Sequence, residues 1–352
     1  MRAAIDTRMD STGRASFTMA RITGLCVVAL LAMPAWSDEV PGEPTAVPAG
    51  QPSAQAPPAA EAEGSKAGAA YVHPQHGSLA EIGAKLADPT SNVWALQFNI
   101  QAPTFSDGDL NTGNPKMGGN VIFQPILPFP LYGTGENQWK MITRPIIPII
   151  FAQQDPTCST TGCNDFKHVG GFGDFELPLL LNPPERMIGH WIFGAGPVFE
   201  FPSATNDALG ANQYSIGPAV VVGYKTKKWT AALFPNYFFG VGSTSDRTPN
   251  QLTTSKLSLL YAFTYNLPDA WQIGLNPTIS YNNKASSGNK WDVPVGLFVA
   301  KTILLGRVPF KIQAGLEYSV VSPDSFGKRA NFRFVLTPVI PGLVNNPIFG
   351  GR

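Results

Sequence analysis

Apolar and polar residues alternate with a period of two along most of the chain from Val93 onward, and this pattern restricts the fold more than any other feature. In Trp271–Tyr281 the odd-numbered positions hold Trp, Ile, Leu, Pro, Ile and Tyr, whereas the even-numbered positions hold Gln, Gly, Asn, Thr and Ser. Successive side chains of a β-strand point to opposite faces of its sheet, so this segment is predicted to be a strand with one apolar and one polar face. Tyr214–Tyr224 and Val308–Val320 alternate in the same way.

Nine further segments complete a set of about twelve predicted strands of roughly ten residues, the length that crosses a bilayer at a tilt. They are Trp94–Ala102, Val121–Phe129, Trp139–Phe151, Val169–Leu181, Trp191–Phe201, Trp229–Phe239, Leu257–Leu267, Trp291–Val299 and Phe332–Ile340. Tight turns such as Lys225–Lys228 alternate with longer polar loops such as Gln153–Lys167. Short turns at one rim and long loops at the other are typical of outer-membrane barrels, so we expect the short turns and both termini to be periplasmic.

Charged residues inside the predicted strands fall on the polar face. A charge on the lipid face near the middle of a membrane costs roughly 2–4 kcal/mol, so this bias is expected of a wall in contact with lipid. A soluble β-sandwich also alternates, but it would carry more surface charge, particularly Lys on its edges. The in-strand charges with this placement are Arg144, Asp174, Glu176, Glu200, Asp292, Lys311, Glu317 and Arg333.

These observations predict an all-β fold over residues 91–341, a transmembrane antiparallel up-and-down β-barrel of about twelve strands with a short N-terminal helix. A closed barrel satisfies every backbone hydrogen-bond donor within lipid, which an open sheet cannot do. Only 14% of the residues are charged, and the formal net charge is +1. Without an excess of basic residues, nucleic acid is not an expected partner. The expected partners are outer-membrane lipids, the barrel-assembly machinery and a small-molecule solute.

A weak internal repeat places a tryptophan at the start of four strands that rise from the short-turn rim. The four residues would lie at one height and form an aromatic girdle at the membrane interface. They are Trp139, Trp191, Trp229 and Trp271. Each is followed at one spacing by a proline, and the prolines are Pro145, Pro197, Pro235 and Pro277. Proline cannot donate to a strand ladder, so bulges or local fraying are expected at these positions.

The N-terminus has the order of a secretory signal peptide. An arginine-containing segment is followed by the apolar run Ile22–Ala35 and the small-x-small site Ala35–Ser37, which predicts a signal peptide over residues 1–37. A membrane anchor is the alternative, but the run is shorter than the roughly 20 residues that a spanning helix needs. Either Met1 or Met19 could be the start of translation. Residues 38–77 are rich in Pro and Ala without apolar periodicity, so we predict a disordered linker.

Residues 78–90 are predicted to form a short amphipathic helix. Leu79, Ile82 and Leu86 recur at helical spacing, and Ser78 with Glu81 has the pattern of a capping box. The helix could plug the barrel or lie at its periplasmic mouth, and a frayed connector is the alternative. At the other end of the chain, residues 342–352 are predicted to be a C-terminal tail.

Two cysteines remain after the predicted signal peptide, Cys158 and Cys163, within one short polar loop. Export permits a disulfide between them, which would order the loop without holding the fold together. A pair of free thiols is the alternative. Zinc is disfavoured because two nearby cysteines without paired histidines make a poor tetrahedral site.

The polar face should line the lumen, which predicts a mixed interior of Arg144, Asp174, Glu176, Glu200, Lys311, Glu317 and Arg333. The apolar residues Ile142, Ile146, Phe234, Phe238, Leu260 and Val335 have the same parity. A narrow amphipathic passage of this kind would suit an apolar or aromatic solute with a polar end. The alternative is a structural network of salt bridges that braces the barrel, because buried charges need partners.

Several segments together resemble the MetA-pathway of phenol degradation family of outer-membrane proteins, whose members are often called transporters. The segments are Leu79–Pro89, Leu96–Asn99, Gly194–Phe199, Pro202–Gly210, Trp291–Val295 and Ser322–Asp324. The resemblance spans roughly Ser78–Pro341 and lies in the order of the motifs. It implies an outer-membrane barrel with a suggested role in the uptake of small compounds, aromatic ones among them, and it supplies no binding residues. The Cys158–Cys163 loop and the long linker fall outside the family pattern.

We therefore expect a non-enzymatic channel or transporter for small solutes in a bacterial outer membrane, with no cofactor or metal. A barrel lipase or acyltransferase would need a Ser near a base, and nothing places His73, His76, His168 or His190 beside a Ser on one wall. A structural or adhesion barrel is the third class. The carboxylates of Asp107–Asp109 and Asn206–Asp207 could hold calcium, although solvated turns explain them better.

Overall fold

The structure is a computed structural model, and it describes residues 77–105, 115–159, 162–244 and 254–350. The predicted signal peptide and all but the last residue of the predicted linker lie outside the described residues. Among the described residues, no helix is both long and apolar enough to cross a membrane.

The described strands form one closed antiparallel barrel. Their bounds are β1 Ala95–Phe105, β2 Lys116–Met117, β3 Gly119–Tyr132, β4 Trp139–Thr143, β5 Ile147–Ser159, β6 Gly162–Phe172, β7 Phe175–Asn182, β8 Trp191–Phe201, β9 Gln213–Lys225, β10 Trp229–Ser243, β11 Ser255–Asn266, β12 Trp271–Leu275, β13 Thr278–Asn282, β14 Trp291–Leu305, β15 Val308–Val321 and β16 Lys328–Pro338. The barrel closes because β1 pairs with β16 on one side and with β3 on the other.

The sixteen segments amount to the twelve predicted strands. Three of the predicted strands are interrupted once, so β4 with β5, β6 with β7, and β12 with β13 each cross the wall as one strand. The remaining short segment, β2, pairs with the end of β1 at the long-loop rim. The predicted fold class and strand number are therefore confirmed.

Prolines explain two of the three interruptions, because proline has no backbone N–H for the ladder. Pro145 lies between β4 and β5, and Pro277 lies between β12 and β13. Pro197 and Pro235 instead remain inside β8 and β10, where Pro197 lies opposite Pro218 of β9, a pair that removes donors from both strands. The expected fraying thus occurs at two of the four repeat prolines.

The interruption at Pro277 opens a gap in the ladder between β12/β13 and β14. Pairing stops at Gly274 opposite Phe298 and resumes at Ser280 opposite Asp292. The Tyr261 hydroxyl donates a 2.6 Å hydrogen bond to the carbonyl of Pro294, which lies in the unpaired stretch. A side chain of β11, on the far side of β12/β13 from β14, therefore satisfies a carbonyl that the gap would leave without a partner.

The wall of the barrel is apolar outside and polar inside, the reverse of a soluble barrel. Leu297 at the middle of β14 is 65% exposed on the outer face, and Leu316 opposite it on β15 is 59% exposed. On the inner face of β15, Gln313 is 6% exposed and Ser319 is 1% exposed. The alternation read from the sequence therefore has the predicted orientation, with the polar residues enclosed.

The helix α1, Leu79–Ala87, lies inside the barrel at its short-turn end. The Ser78 side chain accepts from the backbone N–H of Glu81, and the Glu81 carboxylate accepts from the N–H of Ser78, so the predicted capping box is present. Ile82 is fully buried against Val93 and Val339, which belong to the segments flanking β1 and β16. The helix is thus packed against the wall, and it is not a frayed connector.

One predicted boundary is corrected by strand pairing. Gln153–Lys167 was expected to be a polar loop, but β5 and β6 continue through it as a β-hairpin in which Asp155 pairs with Lys167. The polar side chains mislead because they lack the apolar alternation from which the other strands were predicted. The C-terminal tail also has a defined place, since the N–H groups of Ile348 and Phe349 donate to the carbonyls of Pro130 and Leu131.

Candidate functional site

The barrel interior encloses a cavity of about 130 Å³, and α1 forms its wall on the short-turn side. Leu86, Ala87 and Pro89 are the cavity residues contributed by the helix and the segment after it. The other lining residues come from strands around the barrel. An engineered protein cavity of about 150 Å³ holds benzene, so this space matches a ring of that size.

An ion pair holds the end of α1 against the wall. The Lys225 ammonium donates to the Asp88 carboxylate at 2.8 Å, and Lys225 is the last residue of β9. Asp88 also accepts from the backbone N–H and the hydroxyl of Thr90, each at 2.8 Å. Earlier in the helix, Gly83 lies so close to Thr302 that an added Cβ would be 2.7 Å from the Thr302 hydroxyl oxygen. The helix therefore packs closely against the barrel wall, and the Lys225–Asp88 ion pair holds its C-terminal end.

The first group of predicted lumen charges is a network centred on Glu317 and Arg333. The Arg333 guanidinium contacts the Glu317 carboxylate at 2.5 Å and the Asn276 carbonyl at 3.1 Å. Asn331 donates to the second Glu317 oxygen at 3.2 Å and to Gln101 at 3.3 Å. These partners belong to four different strands or strand breaks, so the network crosslinks the wall where β1, β15 and β16 meet.

The second group lies toward the long-loop end. Glu176 of β7 and Glu200 of β8 are directly opposite each other in the ladder, an arrangement of like charges that destabilises a sheet. The Lys256 ammonium lies between them, 2.5 Å from Glu200 and 3.9 Å from Glu176, and 4.8 Å from the Phe238 ring centroid. Sequence reasoning missed Lys256 because it lies just before the predicted start of its strand. The even-numbered parity of β11 would have identified it.

Asp174 does not join these charged pairs. Its carboxylate accepts from the backbone N–H of Ala204 at 3.1 Å and of Ala211 at 2.6 Å, so it braces the loop between β8 and β9. In the same loop, Asn206 accepts from the N–H of Ala208, and Asn212 donates to Asp207. These contacts are those of a locally hydrogen-bonded turn. The other calcium alternative, Asp107–Asp109, lies outside the described residues.

Arg144 and Lys311 line the cavity without a carboxylate partner among the described residues. Arg144 donates to the Gln97 side chain at 3.2 Å, and its Nε is buried without a hydrogen-bond partner. Gln97 in turn donates from its side-chain amide nitrogen to the side-chain carbonyl of Gln124 at 3.2 Å. Lys311 is 7% exposed, and its ammonium lies 5.9 Å from the centroid of the Phe298 ring.

Most of the predicted apolar lumen residues lie where expected. Ile142, Phe234, Leu260 and Val335 line the cavity, and Phe238 is buried beside Lys256. Ile146 is not among the residues that line the cavity. It lies at the break between β4 and β5, where its backbone forms an isolated bridge with Glu176. The apolar side of the cavity is formed largely by β7, β9, β10 and β11.

The four repeat tryptophans each begin a strand after a short connection, at the same rim of the barrel. The ring of Trp191 lies 5.2 Å from Tyr224, and Tyr224 lies 5.7 Å from Trp229, so aromatic rings are contiguous along part of this rim. The Lys301 ammonium lies over the Trp271 ring, 4.6 Å from its centroid. Their role at a membrane interface stays a prediction.

The remaining sequence predictions concern the two cysteines and the histidines. Cys158 and Cys163 lie at the tip of the β5–β6 hairpin, but their side chains are outside the described residues, so the disulfide stays a prediction. His168 contacts the Gln154 amide at 3.3 Å, and His190 packs near Tyr224. Within the described part of the chain, no group of three His, Cys, Asp or Glu residues could hold a metal ion.

Comparison with known proteins identifies similar folds. No protein-family model and no curated protein sequence matches the chain. The structure is similar to the COG4313 outer membrane channel from Pseudomonas putida F1, with a TM-score of 0.52 and 11% identity over 70% of this chain and 96% of that one. Outer membrane phospholipase A from Escherichia coli gives a TM-score of 0.39 at 12% identity, covering 73% and 98% of the two chains. OccK1 from Pseudomonas aeruginosa gives 0.29 at 10% identity, covering 70% and 98%. The chain therefore shares the closed β-barrel fold of the outer membrane channel from Pseudomonas putida F1.

Proposed function

We propose that the chain is an outer-membrane channel for small solutes and that it catalyses no reaction. The observation that carries this proposal is the inverted barrel, in which an apolar outer wall surrounds a polar interior with a cavity. An apolar exterior of this kind is stable in contact with acyl chains and unstable in water. A polar interior of a twelve-stranded barrel leaves more room than the side-chain-filled small barrels do.

The passage would run along the barrel axis through the cavity, with α1 closing its periplasmic side. The predicted lumen charges would line this passage, and the four rim tryptophans would anchor the barrel at the membrane interface. A signal peptide would direct export, and the barrel-assembly machinery would insert the chain. The mixed lining favours small aromatic or amphipathic solutes, in agreement with the resemblance to the MetA-pathway of phenol degradation family.

Membrane embedding can be tested with a charge on the outer wall. Leu297→Arg places a guanidinium at the middle of the apolar exterior, where it is expected to cost roughly 2–4 kcal/mol of stability in lipid. The control Thr278→Arg places the same group on an exposed position of lumen parity, where water can solvate it. Reversible guanidinium unfolding in phospholipid vesicles would measure both. Equal stability of the two variants, or folding of the mature chain in buffer without detergent, would contradict embedding.

Transport can be tested with the purified mature chain in planar bilayers and in proteoliposomes. In planar bilayers we expect conductance of small ions. Proteoliposomes should swell in sugars, amino acids and organic acids that do not cross lipid unaided. Heat-denatured protein in the same detergent is the control. Absence of both conductance and solute flux, in the wild type and in a variant without α1, would favour a structural or adhesion barrel instead.

A further inference from the structure

We propose that the cavity is a binding site for a small organic monoanion, a carboxylate on an apolar body of about the size of a benzene ring. The inference rests on the proposed function, because it assigns the class of solute that occupies the passage. Its basis is a cavity with two sides. One side carries the cationic side chains of Arg144 and Lys311, which have no carboxylate partner among the described residues, and the other side carries apolar side chains.

The charge balance of the cavity is the first argument. Three cations line it, namely Arg144, Lys311 and Arg333, and none of its described lining residues is Asp or Glu. Glu317 neutralises Arg333 through the ion pair described above, but it is not among the residues that line this cavity. Two positive charges therefore face an enclosed space without a carboxylate among the described residues. A buried charge without a partner is costly, and a bound anion would relieve that cost.

The arrangement of donors is the second argument. Lys311 has no hydrogen-bond or ion-pair partner among the described residues, and its ammonium lies within reach of the Phe298 ring that also lines the cavity. Arg144 uses one terminal nitrogen on Gln97, which orients the guanidinium. Guanidinium and ammonium groups are the preferred partners of carboxylates, and such charge-assisted hydrogen bonds are about twice as strong as neutral ones.

The apolar wall opposite these donors is the third argument, because it can contact the apolar body of the proposed ligand. The polar residues come mainly from β15, β16, β1 and the break after β4. The apolar residues Leu180, Val221, Phe234 and Leu260 come from β7, β9, β10 and β11. A simple inorganic anion would leave this apolar side facing water. A ring or short chain with one carboxylate would contact both sides at once.

Titration calorimetry of the full mature chain in a neutral detergent tests the proposal, with sodium benzoate as the probe at neutral pH. Benzamide has the same shape without the charge, acetate has the charge without the ring, and benzylamine carries the opposite charge. We expect benzoate to bind about tenfold or more tightly than benzamide, which is the worth of one charge-assisted hydrogen bond. Acetate should bind more weakly than benzoate, and benzylamine should not bind.

Variants assign the binding to the two cations. Lys311→Met and Arg144→Met should each weaken benzoate binding about tenfold and leave benzamide binding nearly unchanged. The control Lys301→Met removes a lysine of the outer wall beside Trp271 and should bind benzoate like the wild type. The heat-shifted electrophoretic band of the folded barrel verifies that each variant is folded. Lys311→Met should keep this band, because Lys311 makes no ion pair with a described residue.

Several results would overturn the proposal. Equal binding of benzoate and benzamide would show that charge is not recognised, and unchanged benzoate binding by folded Lys311→Met and Arg144→Met would place the anion elsewhere. Chloride conductance of the same preparations in planar bilayers separates this inference from the proposed function. Conductance without benzoate binding would refute the anion site alone, whereas benzoate binding without conductance or flux would refute transport alone.

Discussion

Deletion of residues 78–90 is expected to raise single-channel conductance in planar bilayers several-fold, which is the largest functional effect that the structure predicts. The deletion removes α1, whose Leu86 and following Pro89 form the short-turn side of the cavity. The hydrogen bonds that close the barrel run between strands and do not depend on the helix. The barrel should therefore remain folded while its periplasmic side opens.

A deletion of the same length within the predicted linker, residues 52–64, is the matched control and should conduct like the wild type. An intermediate variant is Lys225→Met, which removes the ion pair to Asp88 but leaves the packing of Ile82 in place. It should open more often than the wild type and less often than the deletion. If the deletion variant is folded and its conductance is unchanged, the helix does not limit the passage.

Glu317→Leu is expected to produce the largest loss of stability, about 3–5 kcal/mol, because it leaves the Arg333 guanidinium in the barrel wall without its carboxylate. Glu317 and Arg333 are both mostly buried, and Glu317 also accepts from Asn331. The free energy of unfolding in phospholipid vesicles would measure the loss. The double variant Glu317→Leu with Arg333→Leu should recover part of it, because both charges are then removed, and the cycle isolates the coupling energy.

The comparison for this prediction is the ion pair at the short-turn rim. Lys140 lies 3.5 Å from Glu185, whose side chain is 52% exposed. Glu185→Gln should therefore cost less than about 1 kcal/mol, as exposed ion pairs do. Equal losses for Glu317→Leu and Glu185→Gln would mean that water screens the interior network as well as it screens the rim.

The sequence predicted well those features that depend on neighbouring residues. The two-residue alternation gave all twelve wall-crossing strands, and the Ser78 and Glu81 pair gave the start of α1. Both signals are local, because strand parity and helix capping involve residues within a few positions of each other. Where polar residues continued without alternation, as in Gln153–Lys167, the same reasoning missed a hairpin.

The pairing of lumen charges could not be predicted in the same way. Sequence parity assigned Asp174, Glu176, Glu200 and Lys311 alike to the lumen, but they have different roles. Asp174 holds a loop, Glu176 and Glu200 share one lysine, and Lys311 stays without a described carboxylate. Parity fixes the face on which a side chain lies, whereas its partners depend on the register and on which strands become neighbours.

By itself, the sequence determined that the wall is apolar on one face and polar on the other, because each strand carries that information in its own alternation. Only the tertiary structure decided which charges are neutralised and where the helix lies. The Asn99 side chain meets Arg333 only after β1 and β16 close the barrel, and Asp88 meets Lys225 only when α1 lies inside it. These contacts join residues far apart in the chain, so closure of the sheet, and no local propensity, brings them together.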